Sequence, residues 1–254
     1  MPKTVVIIPC YNEAERLPQE DFVDAFESYP NLTFLFVNDG SSDHTLDILK
    51  IWEGIYPNVI ALDKQPNSGK ANAVRFAMLH AFQNLEFDYI AYFDADLATP
   101  IYEIENFQKC FASNDEIMMV IGSRIRRMGA NIDRKWKRHF IGRVFATFAS
   151  ATLALPIYDT QCGAKMLKKE LINELFEKEF ISKWLFDVEV LARLSIREGF
   201  PKIETSLYEK PLNEWLEKGD SRIKLKDFFK FPLDLLKIHR KYHRKIMKLK
   251  RNHR

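Results

Sequence analysis

Residues 89–100, YIAYFDADLATP, set a run of five apolar and aromatic residues against an abrupt Asp94-Ala95-Asp96 triplet. A short apolar and aromatic run of this kind reads as a buried strand, and the switch to acids marks its carboxyl end. Working outward, the pattern recurs. Thr4–Ile8 runs into Pro9-Cys10-Tyr11-Asn12-Glu13, and Phe34–Val37 runs into Asn38-Asp39-Gly40-Ser41-Ser42-Asp43. Val59–Leu62 and Met118–Gly122 are further short apolar runs, with helix-patterned stretches between them. This alternation predicts an α/β fold with a Rossmann-like, mostly parallel central sheet flanked by helices, whose ligands lie at strand carboxyl ends. Three polar loops are thus expected along one sheet edge. Beyond residue 124 the rhythm breaks, and helix-like pieces are expected around 167–178 and 184–198.

Two carboxylates flanking one residue at a strand end can point into a shared site. Their hard oxygens suit Mg²⁺ or Mn²⁺ bridging a diphosphate. Taken alone, the triplet is a weak signal and reads first as solvated or capping loop acids. Asp39, at a second strand end, can accept from a base N–H or a ribose hydroxyl, or can shape the turn before the next helix; Asp43 reads as a turn and cap residue. Asn67-Ser68-Gly69-Lys70 offers a turn carrying one cation, suited to phosphate, although a surface lysine is its plain reading.

At 254 residues and 46% hydrophobic content, the chain can bury one large core or two modest ones, which favours one compact domain with an appendage. Its three cysteines, Cys10, Cys110 and Cys162, are far apart, which argues against a disulfide framework or a zinc site and for a reducing compartment. The start of the chain shows no signal-peptide pattern. The longest uncharged apolar stretch, 144–158, is shorter than the ~18–20 residues of a spanning helix and contains Thr, Ser and Pro. Net charge is +3, but residues 237–254 hold nine Lys/Arg and no acid, so the remainder is net acidic. Leu235, Leu236, Ile238, Tyr242, Ile246 and Leu249 recur at helical spacing among those cations, an amphipathic pattern. With Phe228, Phe229 and Phe231 just before it, this tail is expected, together with the 144–158 stretch, to lie on a membrane surface rather than cross it; a buried core helix for 144–158 and a solvated basic end for the tail are the alternatives. A basic tail also raises nucleic-acid binding, but no nucleic-acid module is recognisable and the acid loops would stay unexplained. Nucleic acid is therefore not expected as a partner.

VVIIPCYNEAERLP (5–18), FLFVNDGSSDHTLDIL (34–49), NSGKANAVRFAM (67–78), YFDADLATP (92–100), IGSR (121–124) and DTQCGAKML (159–167) occur in the order and spacing of glycosyltransferase family 2. The chain resembles the dolichyl-phosphate or polyprenyl-phosphate hexosyltransferases of that family; DADLATP, DTQCGAKML, WLFDVEVL and NEWLEKGDSRI are most similar to its β-glucosyl branch. The resemblance spans roughly residues 4–245 and implies a glycosyltransferase A-type fold with a C-terminal amphipathic helical extension. It divides the chain into a catalytic domain, 1–225, and a basic tail, 226–254; the nucleotide-sugar half is about 1–123 and the acceptor half about 124–225.

By that resemblance, Pro9, Tyr11, Asn12, Glu13 and Asp39 hold the nucleoside, Lys70 lies near the diphosphate, and Asp94 and Ala95 face the donor. Asp96, with Asp94, is the implied metal ligand; Ala98 stands where some relatives place a third ligand. Arg124, Arg138 and Arg222 are implied to face an acceptor phosphate, which an arginine fork recognises well. Arg222 replaces a lysine usual in that loop. Asp159, Gln161, Lys165, Asp187 and Glu189 are implied to line the far wall of the pocket, with Gln161 and Asp187 among the catalytic set. The expected reaction is inverting transfer of a hexose, glucose from UDP-glucose, to a polyprenyl or dolichyl phosphate at the cytoplasmic face of a membrane. A phosphate nucleophile is already anionic, so alignment and charge neutralisation dominate. If the acceptor is a saccharide hydroxyl, Asp187 is the first choice of base. The lack of a spanning segment leaves open a soluble acceptor or a separate membrane-protein partner.

Overall fold

The computed structural model describes residues 2–133, 136–218 and 230–253, with side chains of the helix beginning at 136 described from Gly142 onward. The chain forms two compact units, Met1–Ile104 with Gly163–Glu179, and Glu105–Cys162 with Phe180–Arg254.

In the first unit, strands β1 (Thr4–Cys10), β2 (Leu32–Asp39), β3 (Val59–Lys64), β4 (Tyr89–Phe93) and β7 (Ala164–Lys168) lie in the order β3-β2-β1-β4-β7. All pair in parallel except β7, which runs antiparallel to β4. Val5 to Ile8 and Phe34 to Val37 are buried without interruption, as strands covered on both faces must be. Helices α1 (Gln19–Ser28) and α2 (Thr45–Ile55) bring Phe22, Phe26 and Trp52 onto Phe34 and Phe36. These rings pack mostly edge-on or tilted at 5.0–5.9 Å, with Phe22 and Phe26 stacked at 6.1 Å, arrangements that aromatic quadrupoles favour. Helix α3 (Lys70–Asn84) instead buries small residues, Ala71, Ala73, Ala77 and Ala81, with Val74 and Met78. In register, Cys10 sits opposite Asn38 and Ile7 opposite Tyr92, so the loops after β1, β2 and β4 leave from one sheet edge.

The stretch 167–178, helix-like in its sequence pattern, begins within β7 and continues as a 3-10 turn at Lys169–Leu171 and the short helix α6 (Ile172–Phe176). AKMLK is hard to read as a strand because Lys165, buried on β7 over the Tyr92 ring, disrupts the apolar run.

In the second unit, helix α4 (Glu103–Ser113), which starts in the first unit, leads to β5 (Met119–Ser123), paired in parallel with β8 (Leu207–Pro211). A two-stranded ribbon joins β6 (Asn131–Asp133) to β9 (Glu214–Leu216). Helices α5 (Trp136–Leu153), α7 (Phe186–Glu198) and α8 (Ile203–Ser206) precede a 22-residue C-terminal helix, α9 (Phe231–Asn252). Here the tail departs from expectation in one respect. It is the amphipathic helix its spacing predicts, but Leu235, Ile238, Tyr242 and Ile246 are buried within the unit, where α9 packs against α5 and α7. The apolar stripe is thus covered by protein. Phe231 lies 6.3 Å from the Phe145 ring, while Phe228 and Phe229 are outside the described residues. The 144–158 stretch is mostly helix, with Ala146, Ala149 and Leu153 buried and Val144 and Phe148 exposed. Among the described residues, no helix is long and apolar enough to cross a membrane.

Candidate active site

The loop after β1 is stitched to the loop after β2. Asn12, at φ +51, donates its N–H to Ser41 Oγ at 2.9 Å and accepts Ser42 N–H on Oδ1 at 2.8 Å. The Glu13 N–H donates to Thr45 Oγ1 at 2.8 Å, and the Ala14 N–H to Asp43 Oδ2 at 3.1 Å. Asp43 also accepts the Thr45 hydroxyl and N–H on Oδ1, so it is the turn residue its sequence context predicts. Burial works against its charge, but these bonds outweigh it and hold its pKa below the ordinary aspartate value. The Tyr11 ring is 43% exposed at the rim and Glu13 is buried, with Arg16 at 3.8 Å.

Asp39 is 2% exposed, and its carboxylate is surrounded by the following loop. It accepts from Ser68 N–H and Oγ, from Gly69 N–H at 2.7 Å and from Lys64 Nζ at 3.1 Å. Asn67 Nδ2 donates to its carbonyl at 2.8 Å. In this arrangement Asp39 anchors residues 64–69 instead of presenting an open acceptor. Gly40, at φ +67, allows the approach: a Cβ there would stand 2.5 Å from the Asn67 nitrogen.

The anchored loop delivers Lys70, at the start of α3, to the end of β4, where its Nζ pairs with Asp94 Oδ1. The Asp94 N–H donates to the Gly163 carbonyl at 3.1 Å. Gly163 is a residue that reasoning from sequence missed. A Cβ there would lie 1.8 Å from Asp94 Oδ2 and 2.4 Å from its Cγ, so the Asp94 carboxylate occupies the space a side chain would need. Only the string DTQCG could have flagged it, since close approach between two backbones has no local signature.

Ala95 is buried, and Asp96 accepts the Ala98 N–H on Oδ1 at 3.0 Å. Burial, and next the charge of Asp94, raise the Asp96 pKa above the ordinary aspartate value. The Ala98 N–H, Lys70 and Arg16 oppose that rise without cancelling it. Among the described residues, no three His, Cys, Asp or Glu form a metal cluster. Two hard-oxygen acids at one strand end do fit Mg²⁺ or Mn²⁺, which draw remaining ligands from phosphate and water.

In the second unit, Arg124 leaves β5 and meets Asp159 bidentately, Nε to Oδ2 at 2.6 Å and Nη2 to Oδ1 at 2.8 Å. Its guanidinium also lies 5.3 Å from the Trp215 ring centroid. Asp159 is held in turn by Glu209 on β8, which accepts the Tyr158 and Asp159 N–H groups at 2.9 and 2.7 Å. The fork expected to face a phosphate is therefore engaged by an acid. Gln161 donates its N–H to Asp159 Oδ1 at 3.2 Å. A small cavity of about 40 Å³ is lined by Arg124, Arg143, Tyr158, Thr160 and Gln161. Arg143 stacks 3.7 Å over the Tyr158 ring, and the buried Thr160 hydroxyl has no hydrogen-bond partner among the described residues. Neither Arg143 nor Glu209 stands out in the sequence. The side chain of Arg138 and the whole of Arg222 lie outside the described residues.

Asp187 is buried in the first turn of α7. Glu189, expected on the pocket wall, instead meets the C-terminal helix: its Oε1 accepts from Tyr242 Oη at 2.6 Å, Arg193 Nη2 at 3.0 Å and Lys241 Nζ at 3.2 Å.

Comparison with known proteins gives this arrangement a family. The model of "Glycosyl transferase family 2" matches residues 5–176. A dolichyl-phosphate beta-glucosyltransferase of Trichomonas vaginalis is 33% identical over 247 residues, 92% of this chain and 70% of that protein. The dolichyl-phosphate beta-glucosyltransferase of Saccharomyces cerevisiae is 30% identical, covering 93% and 74%. Among solved structures, glucosyl-3-phosphoglycerate synthase from Mycobacterium tuberculosis with Mn²⁺, UDP and glucosyl-3-phosphoglycerate superposes with a TM-score of 0.69 at 14% identity, over 95% of this chain and 80% of that one. The same synthase with Mg²⁺ and UDP gives 0.66 at 16% identity, over 93% and 79%. These neighbours share the fold.

Proposed function

Because the chain belongs to glycosyltransferase family 2, we propose that it transfers a hexose, glucose from UDP-glucose, with inversion to a polyprenyl or dolichyl phosphate at the cytoplasmic face of a membrane. The observation that carries the donor half is the Lys70–Asp94 pair beside Asp96, seated on Gly163 at the carboxyl end of β4. In support of the acceptor half, relatives named as dolichyl-phosphate beta-glucosyltransferases match over nine-tenths of the chain.

Asp96 and Asp94 would hold Mg²⁺ or Mn²⁺ through their hard carboxylate oxygens. Bound there, such an ion supplies charge neutralisation for the leaving nucleoside diphosphate. Lys70 adds a fixed cation to that neutralisation, and the 64–69 loop anchored by Asp39 keeps it at the strand end. Pro9, Tyr11, Asn12 and Glu13 form the nucleoside rim; Ser41 and Thr45 fix the backbone N–H groups of Asn12 and Glu13, and Ser42 holds the Asn12 side chain. Arg124, Arg138 and Arg222 serve the acceptor phosphate, with Arg124 pre-oriented by Asp159. An anionic phosphate oxygen attacks without needing deprotonation, so alignment governs the rate.

The test is transfer from a panel of labelled UDP- and GDP-sugars, with and without polyprenyl phosphate and with Mn²⁺, Mg²⁺ or chelator. Glucosyl transfer to the lipid phosphate, lost on chelation, is expected. Transfer only to a saccharide hydroxyl would reject the acceptor, and would move attention to Asp187 as base.

A further inference from the structure

The buried stripe of α9 leaves an opposite face to explain. Lys237, Arg240, Arg244, Lys248 and Arg251 recur at intervals of three and four, which aligns them along one side of a helix, and all five are exposed. No acid occurs between residues 235 and 253. This row faces away from Leu235, Ile238, Tyr242 and Ile246, which are packed into the protein. Off the row, Lys241 turns inward to Glu189 and Lys250 to the Ala154 carbonyl. At its beginning the same outward side carries Leu233 and Leu236, 60% and 43% exposed. The adjoining helix α5, joined to α9 there through the Phe145 and Phe231 rings, exposes Phe148 at 62%.

We infer that this outward face of α9, with Leu233, Leu236 and Phe148 at its start, is a docking surface for an anionic lipid bilayer. A row of cations ending in large exposed apolar side chains has the chemistry of the headgroup boundary, with charge for lipid phosphates and hydrocarbon for the acyl edge. Duplex nucleic acid would match the cations alone and leave the apolar end in water. The helix differs from a free amphipathic anchor because its main apolar stripe is already covered, so attachment is dominated by charge and is salt-sensitive. The inference rests on the lipid-phosphate reading above for the reason a bilayer surface is needed, and adds which face meets it.

The test is sedimentation of the purified full chain with phosphatidylcholine vesicles, with and without phosphatidylserine, across a salt series. The wild type should bind only vesicles containing phosphatidylserine and release as salt rises. Arg240→Glu/Arg244→Glu should weaken partitioning by about 25-fold or more, at about fivefold per cation. Lys248→Glu/Arg251→Glu, in the last turns, repeats the test at a second place, and Phe148→Ser should weaken binding without changing its salt dependence. All variants should keep wild-type melting and wild-type turnover on a water-soluble short-chain polyprenyl phosphate. Indifference of the wild type to phosphatidylserine, undiminished binding by both charge reversals, or tighter binding to duplex DNA at matched salt would overturn the surface. Absence of transfer to the short-chain acceptor strikes instead at the lipid-phosphate reading, because the vesicle arms judge the surface independently of turnover.

Discussion

At the scale of single residues, the site depends on an absent side chain as much as on those present. Asp94 can meet Lys70 only because position 163 has no Cβ. Gly163→Ala should therefore displace the Asp94 carboxylate while leaving the strand pairing of β7 intact, and turnover should fall about 100-fold or more, the scale of losing one preorganised charge contact. Steady-state kinetics beside a thermal melt checks this: near-normal turnover would mean that Asp94 is mobile and its seat unimportant. Glu209 invites a second test, since it acts through the backbone of Tyr158 and Asp159 on Arg124. Glu209→Ala removes two bonds to a charged acceptor and should raise the acceptor KM roughly tenfold or more while sparing the donor KM. An equal rise in both constants would assign Glu209 to general stability. Asp94, Asp96 and Lys70 are legible in the sequence as strand-end and turn residues. Gly163, Glu209 and Arg143 are not, because their importance comes from what the fold brings near them.

At the scale of elements, the joint between α7 and α9 should respond to pH. The charge of Glu189 is opposed by burial, but the Tyr242 hydroxyl, the Ile181 N–H at 2.7 Å and Arg193 outweigh that and lower its pKa. A depressed folded-state value means the joint contributes stability above the ordinary glutamate pKa and loses it as pH falls through the folded value. Tyr242→Phe should cost about 1.5–3 kcal/mol at neutral pH, the range for a hydrogen bond to a charged group, and the gap to wild type should narrow on acidification. Urea denaturation at stepped pH measures both; a gap that widens in acid would reverse the sign argued here. The elements themselves are unevenly legible. The strands β1, β2 and β4 announce themselves because both faces are covered and the apolar runs are continuous. Strand β7 does not, with a buried lysine inside it and a glycine before it. The C-terminal helix is plain from its spacing, but a stripe of apolar side chains does not say whether protein or lipid will cover it, and here the cover is α5 and α7.

At the scale of the whole molecule, the path of the chain makes a prediction that no single element does. It passes between the two compact units three times, near residues 104, 162 and 179, so neither unit is one continuous segment. A unit built from two separated pieces must close a long loop to form, and it recovers that entropy only when its partner segment is in place. The two units should therefore unfold together. The three cysteines report on this without any mutation. Cys10 lies in one unit and Cys110 and Cys162 in the other, and all are buried and free. Burial, and then the charges of Glu13 and Asp43, push the Cys10 thiol well above its ordinary pKa, which suppresses the reactive thiolate in the native state. Alkylation in native buffer should consequently be slow at all three positions and should rise for all three at the same urea concentration, read site by site by mass spectrometry. Labelling of Cys10 well below the midpoint for Cys110 and Cys162 would show the units opening separately. Under the donor assignment, UDP-glucose with Mn²⁺ should shift all three midpoints upward together, since a ligand that binds only the folded state stabilises every part that unfolds with it.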